Sequence, residues 1–357
     1  MHALMRRALQ LAARGRGMTS PNPMVGATVV LADGTIAGDG WHRRAGTPHA
    51  EVHALDAAGE RARGATLICT LEPCCHHGRT GPCTERIAAA GIRRVIVATE
   101  DPNPRVGGQG LRWLAAQGID VCEGIERAAA LRLNAPFFTV MRTGRPWVIL
   151  KAAVSADGRM AARPGVRTAI TSPPANRRVQ RLRAEVDAIA VGSGTVLVDD
   201  PLLTVRDVFR ARPLTRVVFD RTLRITPHAR LFGTLDAGPV VLVTSEAAVR
   251  AHPREADALR AAGAQIVTAD GVADALRHLA ASGVLSLLVE GGPTLHRAFH
   301  EAGMIDEVRL FVSPALLGPD GVPMLESPAL PLAGLLGAAV EVVGPDVLVS
   351  GYVHRPH

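Results

Sequence analysis

The stretch LEPCCHHGRTGPC, Leu71 to Cys83, places three cysteines and two histidines within thirteen residues of a chain that has five cysteines in total. An odd cysteine count with such crowding indicates metal binding or catalysis rather than a disulfide framework. The apolar run ATLICTL, rich in β-branched residues, leads into the stretch and predicts a strand. The stretch therefore predicts a metal site at the end of a buried strand in an α/β domain.

Two helix starts supply further residues for this site. In the segment TPHAEVHAL, we expect Thr47 to cap a helix that begins at Pro48, with His49 and Glu51 in its first turn. The pair Gly81-Pro82 introduces a second helix in the same way and places Cys83 at its start. The positive N-terminal ends of helices favour thiolates, the form of cysteine that binds metal.

The residue types match a catalytic zinc, which takes three protein ligands and leaves a fourth position open. Zinc deaminases use H-x-E, then P-C and a second Cys, with a glutamate that is not a ligand. Here H-x-E is His49-Ala50-Glu51, P-C ends at Cys74, and the second cysteine is best assigned to Cys83. The spacing departs from C-x2-C, because Cys74 and Cys83 form C-x8-C.

A closed structural zinc site is the alternative. Cys75, His76 or His77 could supply a fourth ligand, and His53 lies one turn from His49 on the same helix face. Against this alternative, a purely structural site has no use for a glutamate beside a ligand, and adjacent cysteines rarely both reach one metal. The residues by themselves leave both kinds of site open.

Length and cysteine placement limit the class of protein. With 357 residues the chain exceeds the size of most single cores, so we expect two domains. Arginines interrupt every apolar run near the start, and no run of about 18 apolar residues occurs, so we expect a cytoplasmic protein. Cys69 and Cys122 lie in apolar strand patterns and are expected to be core residues.

The charge of the chain suits a small anionic substrate at least as well as a nucleic acid. The formal charge of +7 comes from basic residues spread along the chain without a run of five or six. Aromatic residues, which would stack on bases, make up only 3% of the chain. The pattern argues against a nucleic-acid partner. Lys151 is the only lysine.

Strand and helix patterns alternate and predict two α/β domains, 1–144 and 145–357, joined by the linker-like MRTGRP. In the first domain we expect helices near 3–14, 48–58, 83–90 and 108–117, with strands near 25–31, 36–41, 65–71, 93–99 and 119–124. In the second we expect helices near 173–185 and 271–281, with strands over WVILKAAVS, DAIAVG, RVVFD, PVVLVTS, LSLLVE, EVRLFVSPALLG and DVLVSGYVH.

The second domain contains one segment with a phosphate-binding pattern. In LLVEGGPTLHRAF, a buried-looking strand ends at Glu290 and turns through two glycines into a helix, where bare backbone N–H groups can meet phosphate. A tight strand-to-helix connection has the same pattern, so both interpretations stay open. VGSGT at 191–195 is only a fragment of G-x-G-x-x-G and is weak by itself.

Several motifs of the first domain resemble one enzyme family. PNPMVG at 21–26, HAE at 49–51, LEPC-x-HHGRT-x-PC at 71–83 and DPNP at 101–104 are similar to the deaminase half of the bifunctional riboflavin-biosynthesis deaminase/reductases. The C-x8-C spacing separates this branch from cytidine and tRNA adenosine deaminases. The resemblance implies zinc ligands His49, Cys74 and Cys83, Glu51 as proton shuttle, and substrate contacts from Asn22, His42 and His76. Cys75 stands where the family often has serine, which argues against it as a ligand.

The resemblance continues in the second domain and covers most of the chain. KAAVSADGR at 151–159, ITSPPANRR at 170–178, VGSGTVLVDDPLLTVR at 191–206 and VEGGPTL at 289–295 resemble the reductase half. The fold implied is a cytidine-deaminase-like three-layer α/β/α domain followed by a dihydrofolate-reductase-like α/β domain that uses NADPH.

Matched positions imply the reductase site. Cofactor contacts are implied for Ala153, Ala169, Thr195, Asp199, Arg221, Gly292, Pro293, Thr294, Leu295, His296, Arg297 and Ala298. Contacts to the phosphoribosyl substrate are implied for Lys151, Arg167, Arg183, Leu203, Arg206 and Glu290, since arginines suit two-point phosphate contacts. Lys151 and Asp199 are expected to orient the ribose, with a buried structural lysine as the alternative for Lys151.

Two positions depart from the family pattern. Ala169, preceded by Arg167 and Thr168, stands where many relatives have tryptophan, and Arg221 stands where serine is common. We therefore expect part of the cofactor pocket to be remodelled.

The resemblance implies a two-step enzyme. It would deaminate 2,5-diamino-6-(5-phosphoribosylamino)pyrimidin-4-one with zinc and then reduce the ribosyl group of the resulting uracil to ribityl with NADPH. The expected partners are small phosphorylated pyrimidines and further copies of the chain, as a dimer or tetramer, without nucleic acid or membrane. Two alternatives are a deaminase with a weakened reductase and a non-catalytic protein with structural zinc. A nucleic-acid-editing deaminase would need C-x2-C spacing and clustered basic residues.

Overall fold

The computed structural model describes residues 1–76, 81–103, 106–324 and 334–356 of the 357-residue chain. The chain divides into two units, Met1–Thr143 and Gly144–Arg355, and each is an α/β structure with its own core. No described helix is both long enough and apolar enough to span a membrane.

The first unit is built on a five-stranded sheet. Its strands are β1 (Gly26–Val30), β2 (Ile36–Trp41), β3 (Thr66–Cys69), β4 (Arg94–Val97) and β5 (Asp120–Glu123). The described helices of this unit are α1 (His2–Ala13), α2 (Ala50–Ala58), α3 (Cys83–Ala89), α4 (Gln109–Ala116), α5 (Arg127–Leu133) and α6 (Ala135–Thr143), with a 3-10 turn at Gly59–Ala62. The strand order is β2-β1-β3-β4-β5. β1 is antiparallel to both its neighbours, and β3, β4 and β5 are parallel.

Alternate residues of the central strands face two cores on opposite sides of this sheet. Leu67 and Cys69 of β3 lie in the core shared with α2, α3 and α4, whereas Ile68 lies in the core shared with α1 and α5. A strand buried on both faces explains the unbroken apolar run in the sequence. The sheet and its two helix layers confirm the predicted three-layer arrangement.

Two glycines fix how closely helices lie on this sheet. A Cβ at Gly26 would stand 2.0 Å from Ala8 O, and one at Gly40 would stand 2.2 Å from Ala50 O. Since real Cβ atoms do not approach backbone oxygens so closely, only glycine allows α1 and α2 to contact the strand backbone. The second contact sets the position of α2, whose first turn belongs to the site described below.

The second unit is built on a nine-stranded sheet. Its strands are β6 (Trp147–Ser155), β8 (Ala188–Gly192), β9 (Thr215–Phe219), β10 (Val240–Thr244), β11 (Ala264–Thr268), β12 (Ser286–Val289), β13 (Glu307–Ser313), β15 (Leu336–Val343) and β16 (Asp346–Tyr352). A separate pair is formed by β7 (Arg159–Ala161) and β14 (Val322–Pro323). The described helices are α7 (Pro173–Glu185), α8 (Ser193–Asp199), α9 (Glu246–Ala251), α10 (Pro253–Ala261), α11 (Val272–Ala281) and α12 (Pro293–Glu301), with a 3-10 segment at Arg230–Ala237.

The strand order of the large sheet is β11-β10-β9-β8-β12-β6-β13-β16-β15. The pairs from β11 to β13 are parallel, and β13, β16 and β15 pair in antiparallel fashion. The carboxyl ends of β6, β8, β9, β10 and β12 therefore meet at one edge, which is where ligands bind in open parallel sheets.

Candidate active sites

The first site lies where α2, α3 and the segment after β3 meet. Our prediction that Thr47 caps α2 is wrong. Thr47 Oγ1 instead donates to Arg44 O at 2.7 Å, so its hydroxyl closes the preceding turn, and the helix begins at Ala50 with His49 at the N-cap position. The prediction for α3 is confirmed, because this helix begins at Cys83 directly after a proline N-cap.

Three potential metal ligands converge at this point. The Nδ1 atom of His49 lies 3.2 Å from Cys83 Sγ and 3.5 Å from Cys74 Sγ, and all three donor atoms lie within 4.8 Å of one another. Zn–N and Zn–S bonds of about 2.0 and 2.3 Å place tetrahedral ligands about 3.6 Å apart. The distances and the donor types therefore fit one zinc ion.

The metal-free cluster holds one thiolate, Cys74, whereas the hydrogen bond with Cys74 raises the pKa of the Cys83 thiol, so metal binding would release protons from Cys83 and His49. A hydrogen bond with Cys83 lowers the pKa of the Cys74 thiol to about 4, and the Cys83 N–H also donates to Cys74 Sγ at 3.4 Å. The hydrogen bond with Cys74 raises the pKa of His49 to about 9. Cys74 is thus held as a thiolate at the start of α3, which is the ionisation state that a metal requires.

A carboxylate stands beside the cluster. Glu51 lies in the first turn of α2 and is 3% exposed, and its Oε2 atom has no hydrogen-bond partner among the described residues. Burial raises the pKa of this carboxyl to about 7. A buried carboxyl with an unused oxygen fits a group that accepts and returns a proton near neutral pH.

Two of the three predicted substrate contacts adjoin the cluster. The Nδ2 atom of Asn22 lies 3.1 Å from His42 Nε2, and the other ring nitrogen of His42 lies 3.2 Å from Pro48 O. The rings of His42 and His49 meet edge to face with centroids 5.4 Å apart. His76 is exposed at the end of the described segment. The roles of these residues stay predictions.

A closed, four-ligand site finds no support among the described residues. The metal-ligating group there consists of His49, Cys74 and Cys83, without Cys75, His76 or His53. His77, the remaining alternative ligand, lies outside the described residues. Cys69 is a buried core residue as expected, and Cys122 packs half-buried against the core beside α1.

The second site is a cavity of about 1600 Å³ at the carboxyl edge of the large sheet. Its wall contains residues from the ends of β6, β8, β9, β10 and β12 and from the segment between β7 and α7. Most of the predicted reductase residues line it: Lys151, Ala153, Arg167, Ala169, Thr195, Asp199, Arg206, Arg221, Glu290, Gly292, Pro293, Thr294, Leu295, Arg297 and Ala298. This volume exceeds the roughly 300–1,000 Å³ of typical small-molecule sites.

An ion-pair group lies at one end of this cavity. Arg183 holds Glu290 with two parallel contacts, Nε to Oε1 and Nη2 to Oε2, both at 2.9 Å. Lys151 Nζ lies 3.9 Å from Glu290 Oε2. Burial tends to raise the pKa of Glu290, but the two cations outweigh it and hold the pKa below its usual range. Burial lowers the pKa of Lys151.

Three predicted reductase residues do not line the cavity. Arg183 lies behind Glu290, Leu203 is buried with a positive φ of 55°, and His296 is fully buried. Residues 293–298, for which the resemblance implies cofactor contacts, form the first turns of α12, as the predicted strand-to-helix connection requires. Of the matched positions 292–298, only Gly292 precedes the helix and has the backbone of a loop residue.

Sequence reasoning missed three arginines of the cavity wall, namely Arg163, Arg177 and Arg224. Arg163 lies after β7 and Arg224 after β9, where no motif distinguishes them among many arginines, and their position after strand ends was the available signal. Arg177 lies in the second turn of α7, within the segment ITSPPANRR that resembles the reductase family.

The comparisons with known proteins cover both units. Residues 146–349 match the family model of the RibD C-terminal domain, and residues 1–99 match the cytidine and deoxycytidylate deaminase zinc-binding region. The riboflavin biosynthesis protein RibD of Escherichia coli is 43% identical over 341 residues, which is 91% of either chain. The corresponding protein of Aquifex aeolicus is 41% identical over 88% of this chain and 87% of its own.

Solved structures agree with these matches. RibD of Acinetobacter baumannii superposes with a TM-score of 0.87 at 36% identity and 99% coverage of both chains. A diaminohydroxyphosphoribosylaminopyrimidine deaminase/5-amino-6-(5-phosphoribosylamino)uracil reductase of Thermotoga maritima gives 0.86 at 34% identity and 98% coverage of both chains. These matches confirm the fold class expected for the two domains. The chain belongs to the RibD family of riboflavin biosynthesis proteins.

Proposed function

We propose that the chain performs two consecutive steps of riboflavin synthesis. Its first unit deaminates 2,5-diamino-6-(5-phosphoribosylamino)pyrimidin-4-one, and its second unit reduces the product, 5-amino-6-(5-phosphoribosylamino)uracil, to the ribityl compound. The observation that carries the first assignment is the three-residue donor set with the unpartnered buried carboxyl of Glu51 beside it. We assign the two activities to residues 1–144 and 145–357.

His49, Cys74 and Cys83 would hold the zinc ion. Zinc held in this way supplies hydroxide near neutral pH, because the ion lowers the pKa of water. Glu51 takes up the proton that water loses. As the C–O bond forms at the ring carbon bearing the amino group and the C–N bond breaks, Glu51 returns the proton to the leaving ammonia.

Asn22 and His42, which contact each other, are the first two proposed substrate contacts of the deaminase. Burial lowers the pKa of His42, so its ring is neutral and can exchange donor and acceptor roles with Asn22. His42 lies beside His49, and Asn22 contacts His42, so the pair is suited to hold the polar edge of a pyrimidine. His76, at the exposed end of the segment after Cys74, completes the proposed set.

In the reductase, Lys151 and Glu290 are assigned to the reacting ribose, and Arg183 orients the Glu290 carboxylate from behind. Bound NADPH would supply a hydride for ribosyl C1′, with cleavage of the C1′–O4′ bond and protonation of the released oxygen. Lys151 has an ammonium group that reaches the cavity wall beside Glu290, so it is placed to orient this oxygen. Arg206 and Arg167 are the proposed phosphate contacts, with Asp199 on the ribose side.

The remaining cavity residues are assigned to the cofactor. Ala153, Ala169, Thr195 and the backbone around Gly292 would contact the nicotinamide half and the phosphates. Arg221 follows β9, which lies two strands from β12 and therefore about 10 Å away across the sheet. Its guanidinium suits the 2′-phosphate of NADPH, as arginines near strand ends do in other dinucleotide sites.

We also propose that the chain forms a homo-oligomer in the cytoplasm. Edge strand β15 exposes Val340 (71%) and Val342 (77%), and an unpaired edge with apolar side chains favours pairing with another copy. All five cysteines are free thiols, which suits a reducing compartment. Light scattering of the purified protein measures the assembly state.

The experiment for the proposed function supplies each substrate separately to the purified enzyme. Ammonia release from the diaminopyrimidinone phosphate tests the first unit, and NADPH oxidation with the aminouracil phosphate tests the second. We expect both. Ammonia release without NADPH oxidation would favour a deaminase with a weakened reductase, in which the Arg167 to Ala169 segment and Arg221 are the altered positions. Absence of both activities would contradict the proposal.

A further inference from the structure

The carboxylate of Glu72 is buried near the metal cluster, yet the proposed mechanism gives it no role. Its residue is 4% exposed. Its Oε2 accepts from Asp101 N at 3.1 Å and Gly108 N at 2.8 Å, and its Oε1 accepts from Gly110 N at 2.9 Å and Leu111 N at 3.3 Å. Hydrogen bonds to an ionised carboxylate are roughly twice as strong as neutral ones. Four such bonds hold the Glu72 carboxylate firmly against these four backbone amides.

The hydrogen bonds of Glu72 extend beyond the N-terminus of α4. Gly110 and Leu111 lie in the first turn of α4, whose positive end favours an anion. Asp101, however, belongs to the connection between β4 and α4, well before the helix. The backbone N–H of Glu72 also donates to Thr99 O at 3.1 Å, directly after β4. Glu72 therefore holds the described parts of this connection at both ends.

Close backbone contact supports the same arrangement. A Cβ at Gly110 would stand 2.2 Å from Pro73 O and 3.2 Å from Glu72 Oε1. The start of α4 thus lies directly on the peptide that joins Glu72 to Cys74. No residue with a side chain could occupy position 110 without moving this peptide.

The other side of Cys74 is held by α3. Cys74 O accepts from Thr84 N at 3.2 Å, and Cys74 Sγ accepts from Cys83 N at 3.4 Å. The ligand segment is therefore fixed between the starts of two helices, with Glu72 making the contact to α4. Asp101 lies close enough for the charges of Cys74 and His76 to affect it, while burial raises its pKa to about 6.

We propose that Glu72 is a positioning residue of the deaminase site. Its carboxylate fixes the Cys74 segment relative to residues 101–103 of the DPNP motif, so that a metal ligand and this second segment form one preorganised site. The inference rests on the proposed deaminase function and gives the DPNP motif a place in it.

The first test compares Glu72→Gln with Glu60→Gln, a matched change at an exposed position in the 3-10 turn after α2. Glutamine keeps the shape but replaces one acceptor oxygen by an NH2 group, which would face two N–H donors. We expect zinc retention against a chelator to fall about 10- to 100-fold, as for other groups that orient metal ligands. With zinc in excess, kcat for ammonia release should remain reduced. NADPH oxidation by the same chain should not change.

A purely structural role predicts a lower melting temperature with unchanged zinc retention, kcat and KM. That result, or behaviour equal to Glu60→Gln, would overturn the proposal. If the wild type released no ammonia, the proposed function would fail, but zinc retention would still decide the role of Glu72.

A second test uses wild type alone and does not depend on the folding of a variant. Because coupling is reciprocal, stripping zinc should speed amide hydrogen exchange at Gly108, Gly110 and Leu111. Strand β4 in the same sheet is the internal reference and should change much less. The proposal would be overturned if the exchange rates of the three amides did not change, or if the rates in β4 rose by the same factor.

Discussion

Arg183 and Glu290 form an ion pair with two parallel contacts, and the nitrogen-to-oxygen distance is 2.9 Å in each. Glu290 lines the cavity, whereas Arg183 does not. The pair joins α7 to the end of β12. Arg183 Nη1 also donates to Thr204 O at 3.2 Å. Arg183 therefore sets the orientation of the Glu290 carboxylate without standing in the cavity itself.

Replacing Arg183 by lysine should impair the reductase. Lysine cannot make two parallel contacts, so Glu290 loses its fixed orientation beside Lys151. We expect kcat/KM for NADPH oxidation to fall by about 10- to 100-fold, which corresponds to roughly 1.4 to 3 kcal/mol. Arg181→Lys, on the exposed face of the same helix, is the matched control. Equal activity of the two variants would contradict the assignment.

Arg221→Ser should weaken the preference for NADPH over NADH. The change removes the guanidinium proposed for the 2′-phosphate and restores the residue common in relatives. We expect calorimetry to show about tenfold weaker binding of adenosine 2′,5′-bisphosphate, consistent with one charge-assisted contact of roughly 1.4 kcal/mol. Binding of 5′-AMP should be unchanged, and so should both affinities in Arg254→Ser, an exposed control. Equal losses for both nucleotides would place Arg221 elsewhere on the cofactor.

Gly40→Ala should damage the deaminase through the fold. The added methyl would meet Ala50 O at 2.2 Å and push α2 off the sheet, taking His49 and Glu51 with it. Overpacking of this kind costs about 1 to 3 kcal/mol. We expect a lower melting temperature and weaker zinc retention, whereas Gly233→Ala, where a Cβ meets open space, should leave both unchanged. Wild-type behaviour of Gly40→Ala would contradict the packing argument.

His296 should make the second unit sensitive to acid. Burial lowers the pKa of its ring from 6.5 to about 4, and both ring nitrogens are unpartnered among the described residues. The unfolded chain then binds a proton that the folded chain refuses, so stability falls as pH drops from about 6.5 toward 4.

The measurement is urea unfolding of wild type and His296→Leu at pH 7 and pH 4.5. The decrease in the free energy of unfolding from pH 7 to pH 4.5 should be smaller in the variant by up to about 3 kcal/mol. His228→Leu, at an exposed position, should follow wild type. An equal pH dependence in wild type and His296→Leu would show that the ring ionises freely in the folded protein.

Much of the fold followed from local pattern. Strands β6 and β10, which are mostly apolar and largely buried, and the capped helix α7 were predicted within a residue or two. Burial on both faces of a strand and a Ser-Pro start of a helix leave clear signals in the sequence. Helix α8 was missed, since its sequence SGTVLVD is rich in residues that favour strands. Strand β15 was missed because it is exposed and lacks alternation.

The residues of the candidate sites were also predictable only in part. His49, Glu51, Cys74 and Cys83 were identifiable because their residue types and order match one chemistry. The role proposed for Glu72 was not, because it depends on backbone amides 29 to 39 residues away that only the folded chain brings together. Thr47 was assigned as a cap from its residue type, but its hydroxyl is used in the preceding turn.

The role of Glu51 as proton carrier is tested by comparing Glu51→Gln with wild type, with zinc content, ammonia release and NADPH oxidation measured on the same samples. We expect one zinc per chain in both proteins, ammonia release lower by about 10²- to 10⁴-fold in the variant, and equal NADPH oxidation. Undiminished ammonia release from Glu51→Gln at equal zinc content would show that another group carries the proton and that Glu51 does not.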